Sequence, residues 1–194
     1  MKNLSQEEFN KELVTLKSNF DNAGISVSDE ILHSIMISPA TLTEDTGLSF
    51  PGGLACHINL ICAIAVKLAK MISGTFDINV ASIYKVCVCQ HLAKIFMYVA
   101  NDNQWEIDKR GMNYKFNDEI TTRLKLGDRS LMYAQNNLGV SFNDVEWNAM
   151  ECLDRDSEEW YSKSFEPILS TIIRQANELA YSIEKERYNK SKKA

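Results

Sequence analysis

Two histidines and three aspartates are the residues of this chain whose types could support metal chemistry. His57 and His91 lie in apolar segments, and Asp128, Asp154 and Asp156 follow them. Imidazoles and carboxylates are common ligands of a divalent cation, which lowers the pKa of bound water and polarises a phosphoryl oxygen. The competing interpretation is structural, because a histidine on an apolar helix is more often hydrogen-bonded within a core.

Other catalytic signatures are missing from the sequence. It has no glycine-rich phosphate loop, no Ser-His-Asp order and no Cys-x-x-Cys pair. Its five cysteines are an odd number, and Cys87 and Cys89 are separated by one residue rather than two. Cysteines within apolar helical patterns pack as small hydrophobic residues. We therefore expect structural cysteines in a cytoplasmic protein.

The composition predicts one globular domain. The chain has 194 residues, of which 45% are hydrophobic and 24% are charged, with a net charge of −5. This charge gives no reason to expect a nucleic acid or an anionic membrane as partner. The N-terminus lacks the apolar region of a signal peptide. The most apolar run, 54–66, contains His57 and Asn59, which favours a buried core helix over a membrane span.

The hydrophobic spacing predicts a mostly α-helical fold. The strongest helix is expected at 54–72, followed by helices at 80–100 and 165–190. Ser5 with Glu8 and Asn143 with Glu146 have the spacing of capping boxes, which mark helix starts. Shorter helices are predicted at 5–20, 28–36, 119–137 (broken near Gly127) and 145–153.

Two further segments complete the predicted organisation. Proline and glycine residues predict a loop over 38–53. Apolar and polar residues alternate around Gly111 over 105–116, which predicts a small β-hairpin. We expect N-terminal helices at 1–37 packed on a helical domain at 38–187, and a basic tail at 188–194.

Six short segments occur in an order that is informative when they are taken together. Pro39-Ala40-Thr41 precedes Phe50-Pro51-Gly52-Gly53-Leu54-Ala55-Cys56-His57, and Gln90-His91-Leu92-Ala93-Lys94 follows. The later segments are Gly127-Asp128-Arg129-Ser130, Glu151–Asp156 and Ala176-Asn177. In this order they resemble the HD phosphohydrolase superfamily, and in particular its phage- and bacterium-encoded hydrolases. The resemblance covers residues 38–187 and implies a single helical bundle with a small β-hairpin insertion.

The resemblance also implies a degenerate metal site. HD enzymes hold a divalent metal with two histidines and two aspartates, and of these positions only His57 keeps the family residue. Gln90, His91 and Asn177 stand in place of His, Asp and Asp. Neutral amides lack the charge with which carboxylates attract a hard cation, so no cofactor is expected.

Two functions stay open on this basis. One is a catalytically degenerate HD-like domain that acts as a binding, regulatory or structural protein. Its partner would be another protein, a second copy or a nucleotide, with Lys94 and Arg129 as candidate anion-binding residues. Ordinary surface charge is the competing interpretation of these two cations. The phage subgroup also suggests an accessory protein of a phage or mobile element.

The alternative is a divergent metal-dependent phosphohydrolase acting on a nucleotide or another phosphoester. It would hold Mn, Ni, Fe or Mg with relocated ligands, for which the candidates are His57, His91, Asp128 and Asp154. His91 would have to turn toward the site, because consecutive residues of an α-helix point about 100° apart.

Overall fold

The computed structural model describes residues 4–152 and 166–193. The fold is mostly α-helical with a small two-stranded antiparallel sheet, which confirms the predicted fold class. The described helices are α1 Gln6–Asn22, α2 Asp29–Ile37, α3 Gly53–Ile72, α4 Val80–Cys89, α5 Lys94–Met97, α6 Gln104–Arg110, α7 Leu126–Leu138, α8 Asp144–Glu151 and α9 Ile168–Ser191. Strands β1 Tyr98–Ala100 and β2 Tyr114–Phe116 form the sheet, with Val99 opposite Lys115. A short 3-10 helix, Glu44–Thr46, lies in the loop between α2 and α3.

Helix α3 lies at the centre of the fold. It packs against α1, α2, α4 and α9, and its side chains Leu54, Ile58 and Ile61 are completely buried. Each fully buried aliphatic side chain of this size contributes about 1.5–3 kcal/mol of hydrophobic stabilisation. This packing confirms the predicted core position of the helix and presents His57 to the interior.

Both predicted capping boxes are present. Ser5 Oγ accepts a hydrogen bond from the backbone N–H of Glu8, and the Glu8 carboxylate accepts from the backbone N–H of Ser5. Asn143 and Glu146 make the same reciprocal pair at the start of α8. Each pair satisfies two backbone donors that the first helical turn would otherwise leave unpaired.

The predicted hairpin exists, but its first strand was placed wrongly. Residues 104–110 form helix α6, which the Asn103 side chain caps by accepting from the backbone N–H groups of Trp105 and Glu106. Gly111 ends this helix in the left-handed conformation, with φ of 63°. Strand β2 therefore pairs with Tyr98–Ala100 instead.

Two helix boundaries also differ from the prediction. The helix expected at 80–100 ends at Cys89, and the helix expected from residue 119 begins only at Leu126. The Arg129 side chain donates to the carbonyl oxygens of Thr122 and Leu124, so those carbonyls are bound outside a helical ladder. Helix α9 continues without a break through Tyr188, whose hydroxyl lies 3.2 Å from Glu44 Oε2.

Two segments among the described residues have the length and hydropathy of a membrane-crossing helix. They are Gly53–Ile72 and Val80–Met97, with 44% and 67% of their most apolar windows buried inside the protein. The core helix of a soluble protein passes the same test, and the second segment contains the buried Lys94. The cytoplasmic location stays a prediction.

Candidate functional site

A buried set of polar side chains lies where α3, α9 and the segment after α4 meet. We call it the polar cluster; its members are His57, Gln90, His91, Lys94, Asn177 and Glu184. Gln90 is completely buried, and His91, Lys94 and His57 are 5%, 7% and 9% exposed. Buried polar groups require partners, because an unpaired one costs about 1–3 kcal/mol. The pairing within the cluster therefore decides its chemistry.

Hydrogen bonds connect the cluster from α3 across to α9. Glu184 Oε1 lies 2.8 Å from His57 Nδ1, which donates to it. The His57 ring centroid is 4.9 Å from that of His91. His91 Nε2 lies 3.0 Å from Asn177 Oδ1, and Asn177 Nδ2 donates to Gln90 Oε1 at 3.1 Å. One amide thus contacts both residues that follow α4.

The backbone after Cys89 leaves the regular α-helix, and this affects which side chains reach the cluster. The N–H groups of Leu92 and Lys94 bond three residues back, to the carbonyls of Cys89 and His91, at 3.1 and 3.0 Å. Such bonds belong to a tighter turn than the α-helix. Gln90 and His91 are neighbours in sequence, yet both reach Asn177 because its amide offers a donor and an acceptor.

Both imidazoles of the cluster are held in the neutral form. Burial lowers the pKa of His91 well below its ordinary value, and the charge of Lys94 lowers it further. Burial also lowers the pKa of His57, against the opposing effect of the Glu184 hydrogen bond. His91 Nδ1 is buried without a hydrogen-bond partner, so protonation there would add an unsatisfied buried donor.

Lys94 is bound inside the fold. Its Nζ donates to the carbonyl oxygen of Ala40 at 2.8 Å and lies 6.0 Å from the centre of the Tyr98 ring. Burial lowers the pKa of Lys94 to about 8. This hydrogen bond therefore holds the loop at 38–53 against the polar cluster. The expected contact of Lys94 with an anion stays a prediction.

Arg129 and Asp128 lie on the first turn of α7, and the hydrogen bonds described for the cluster do not include them. The Arg129 guanidinium donates to Leu124 O at 3.1 Å, to Thr122 O at 2.6 Å and to Thr122 Oγ1 at 3.0 Å. These bonds assign it a structural role, and its anion binding stays a prediction. Asp154 and Asp156, the other proposed carboxylates, lie outside the described residues.

Within residues 4–152 and 166–193, no group of three His, Cys, Asp or Glu side chains is arranged to hold a metal ion. The cluster contains two imidazoles and one carboxylate, but the other polar atoms near them are amides and an amine. Such a set binds a hard divalent cation less strongly than a set with several carboxylates.

Glu184 is the member of the cluster that sequence reasoning missed. It follows Asn177 by seven residues on α9, and positions seven apart lie on nearly the same face of an α-helix. Its side chain is only 6% exposed, which is rare for a carboxylate without a partner. The seven-residue spacing from Asn177 was the sequence signal that could have identified Glu184 as a member of the cluster.

The chain matches no family model, no curated protein and no solved structure.

Proposed function

We propose that this chain is a catalytically degenerate HD-like domain that acts by binding rather than by hydrolysis. The observation that supports it is the contact of the Asn177 amide with both Gln90 and His91. These are three of the positions at which the resemblance expects metal ligands, and His57, the fourth, lies beside His91. Their proximity supports the expected frame. Gln90, His91 and Asn177 are joined by hydrogen bonds, and His57 bonds Glu184.

The charges of the cluster disfavour a divalent cation, because Glu184 is its single carboxylate and the amides of Gln90 and Asn177 are neutral. His91 Nε2 carries the proton that it donates to Asn177, so this nitrogen cannot coordinate a cation while that bond is intact. The buried ammonium of Lys94 would also repel a divalent ion. The cluster therefore serves to join α3, α9 and the segment after α4.

Metal content after reconstitution tests this proposal. The purified chain is incubated with manganese, nickel or iron, dialysed and measured by elemental mass spectrometry. The comparison is a variant that restores the family residues through Gln90→His, His91→Asp and Asn177→Asp. We expect the natural chain to retain no stoichiometric metal and the restored variant to gain it. Circular dichroism verifies that each protein is folded, and the three single variants serve if the triple variant does not fold.

Two results would count against the proposal. Stoichiometric metal in the natural chain, lost in His57→Ala, would support the hydrolase alternative. A folded restored variant that binds no metal would contradict the HD-like frame itself.

The divergent phosphohydrolase is the second candidate because two imidazoles lie close together with His91 Nδ1 unpaired. It predicts turnover of nucleotides or other phosphoesters that is lost in both His57→Ala and His91→Ala.

Two measurements test the partners expected for the binding function. Light scattering distinguishes a self-associated protein from a monomer, and titration with nucleotides tests the nucleotide partner.

A further inference from the structure

A groove of about 520 Å³ is lined by Glu184 but by none of the other members of the polar cluster. It is bordered by α1, the loop at 46–50, the start of α3 and the end of α9. Leu48 and Phe50 form part of its buried apolar lining. Its volume falls within the range of small-molecule sites, about 300–1,000 Å³. The charges that face this space indicate what it would bind.

Two carboxylates of the groove are hydrogen-bonded by neutral groups. Glu184 Oε1 accepts from His57 Nδ1 at 2.8 Å, and both side chains are buried. Glu12 Oε2 accepts from the Asn59 amide at 2.7 Å. Hydrogen bonds from neutral donors orient both carboxylates but leave their negative charges in place.

The protein's own cations leave this charge incompletely neutralised. Lys94 Nζ is bonded to Ala40 and interacts with Glu184 electrostatically, but it makes no ion pair with it within 4 Å. Lys11 and Arg187 line the groove but are solvent-exposed, and neither forms a salt bridge within the described part of the chain. Exposed charges are strongly screened by water and salt, whereas the charge on the buried Glu184 is screened less.

We propose that this groove binds a small organic cation with an apolar body, such as a primary amine or guanidinium compound. The charged group would lie near Glu12 and Glu184, and the apolar body would pack against Leu48 and Phe50. The inference deepens the proposed binding function and rests on it, because it names the class of ligand that the domain would take.

Calorimetric titration of the full chain with three matched compounds tests the charge preference. The compounds are phenethylamine, the neutral 2-phenylethanol and the anionic 3-phenylpropanoate. We expect phenethylamine to bind at least about tenfold more tightly than the other two. Equal binding of all three, preference for the anion, or no binding of phenethylamine would overturn the proposal.

Neighbouring residues of α1 supply matched variants. Glu12→Gln keeps an oxygen that can accept from Asn59 and removes the charge, so phenethylamine binding should weaken about tenfold. Lys11→Gln removes a positive charge from the groove lining and should tighten binding, whereas Glu7→Gln, outside that lining, should leave it unchanged. Weaker binding in Lys11→Gln than in Glu12→Gln would overturn the proposal.

The two proposals fail in distinguishable ways. The metal content of the natural and restored chains concerns Gln90, His91 and Asn177, whereas the amine titration concerns Glu12 and the groove. If phenethylamine does not bind and the natural chain retains no metal, the amine proposal is wrong and the proposal of a degenerate metal site is unaffected. If Glu12→Gln does not fold, titration of the natural chain with the three compounds still tests the charge preference of the groove.

Discussion

His91 and Asn177 are joined across the fold by a 3.0 Å hydrogen bond between Nε2 of the imidazole and Oδ1 of the amide. His91 follows α4, whereas Asn177 lies on α9. The same amide donates to Gln90 Oε1 and to the carbonyl oxygen of Ile173. Asn177 thus satisfies buried acceptors and a buried donor at once, and its loss should affect stability as well as any site.

We expect Asn177→Ala to lower the free energy of unfolding by about 1–3 kcal/mol, because Gln90 and His91 would be left with unpaired buried polar atoms. Asn136→Ala is the matched control, since Asn136 is exposed on α7. Chemical denaturation measures both variants. A loss in Asn177→Ala no larger than in the control would show that the amide does not hold the cluster together.

The neutral histidines predict a loss of stability in mild acid. Both imidazoles have a lower pKa in the folded chain than the value of 6.5 expected when unfolded. As pH falls below about 6.5, the unfolded chain takes up protons first, so stability decreases by up to about 1.4 kcal/mol per pH unit for each proton. His91→Gln should make this decrease shallower, and His33→Gln, at an exposed position, should not.

Unfolding measured between pH 7.5 and pH 5, at about half-unit steps, tests the sign directly. The carboxylates titrate in both proteins, so the difference between the slopes of the natural chain and of His91→Gln gives the contribution of His91. An unchanged slope in His91→Gln would contradict a neutral, buried imidazole at this position.

The buried Lys94 predicts that stability also changes with pH in the alkaline range. Its pKa is about 8 in the folded chain, against 10.5 for an exposed lysine. Between these values the unfolded chain holds a proton that the folded chain has lost, so the Lys94 contribution to stability rises with pH. It is constant below pH 8, where both forms are charged.

Lys94→Met should remove this rise, whereas Lys67→Met, at an exposed position of α3, should retain it. Denaturation of the three proteins at intervals from pH 7.5 to pH 10 measures the effect as a difference between them. If stability changes with pH in the same way in Lys94→Met and in the natural chain, the Lys94 amine is exposed to water rather than buried.

Gly53 predicts a steric effect at the start of α3. A Cβ on Gly53 would overlap the carbonyl oxygen of Leu48 and lie 3.2 Å from the backbone nitrogen of Ala40. Gly53→Ala should therefore cost about 1–3 kcal/mol of stability through displacement of the backbone. Gly74→Ala is the control, because a Cβ there meets no atom within 4 Å.

Thermal unfolding of the two alanine variants measures this difference. We expect Gly74→Ala to leave the midpoint unchanged or to raise it slightly, since alanine restricts the unfolded chain. Equal midpoints for the two variants would show that the loop at 38–53 does not pack tightly on α3.

Local features of the chain were predictable because they depend on residues a few positions apart. The capping boxes at Ser5 and Asn143 require a partner three residues later, and helix α3 follows from its own apolar spacing. The proximity of His57, Gln90, His91 and Asn177 was an expectation from the resemblance, and the structure brings these side chains together. Membership in that family stays a prediction.

The sequence by itself determined the helical class, the capped starts of α1 and α8 and the loop before α3, since backbone hydrogen bonds and caps act over one turn. The tertiary structure decided where α4 ends, which strand pairs with Tyr114–Phe116, and that Glu184 meets His57. These outcomes depend on contacts between residues far apart in the chain. Burial of such groups, and the partners they find there, set protonation states that no local pattern encodes.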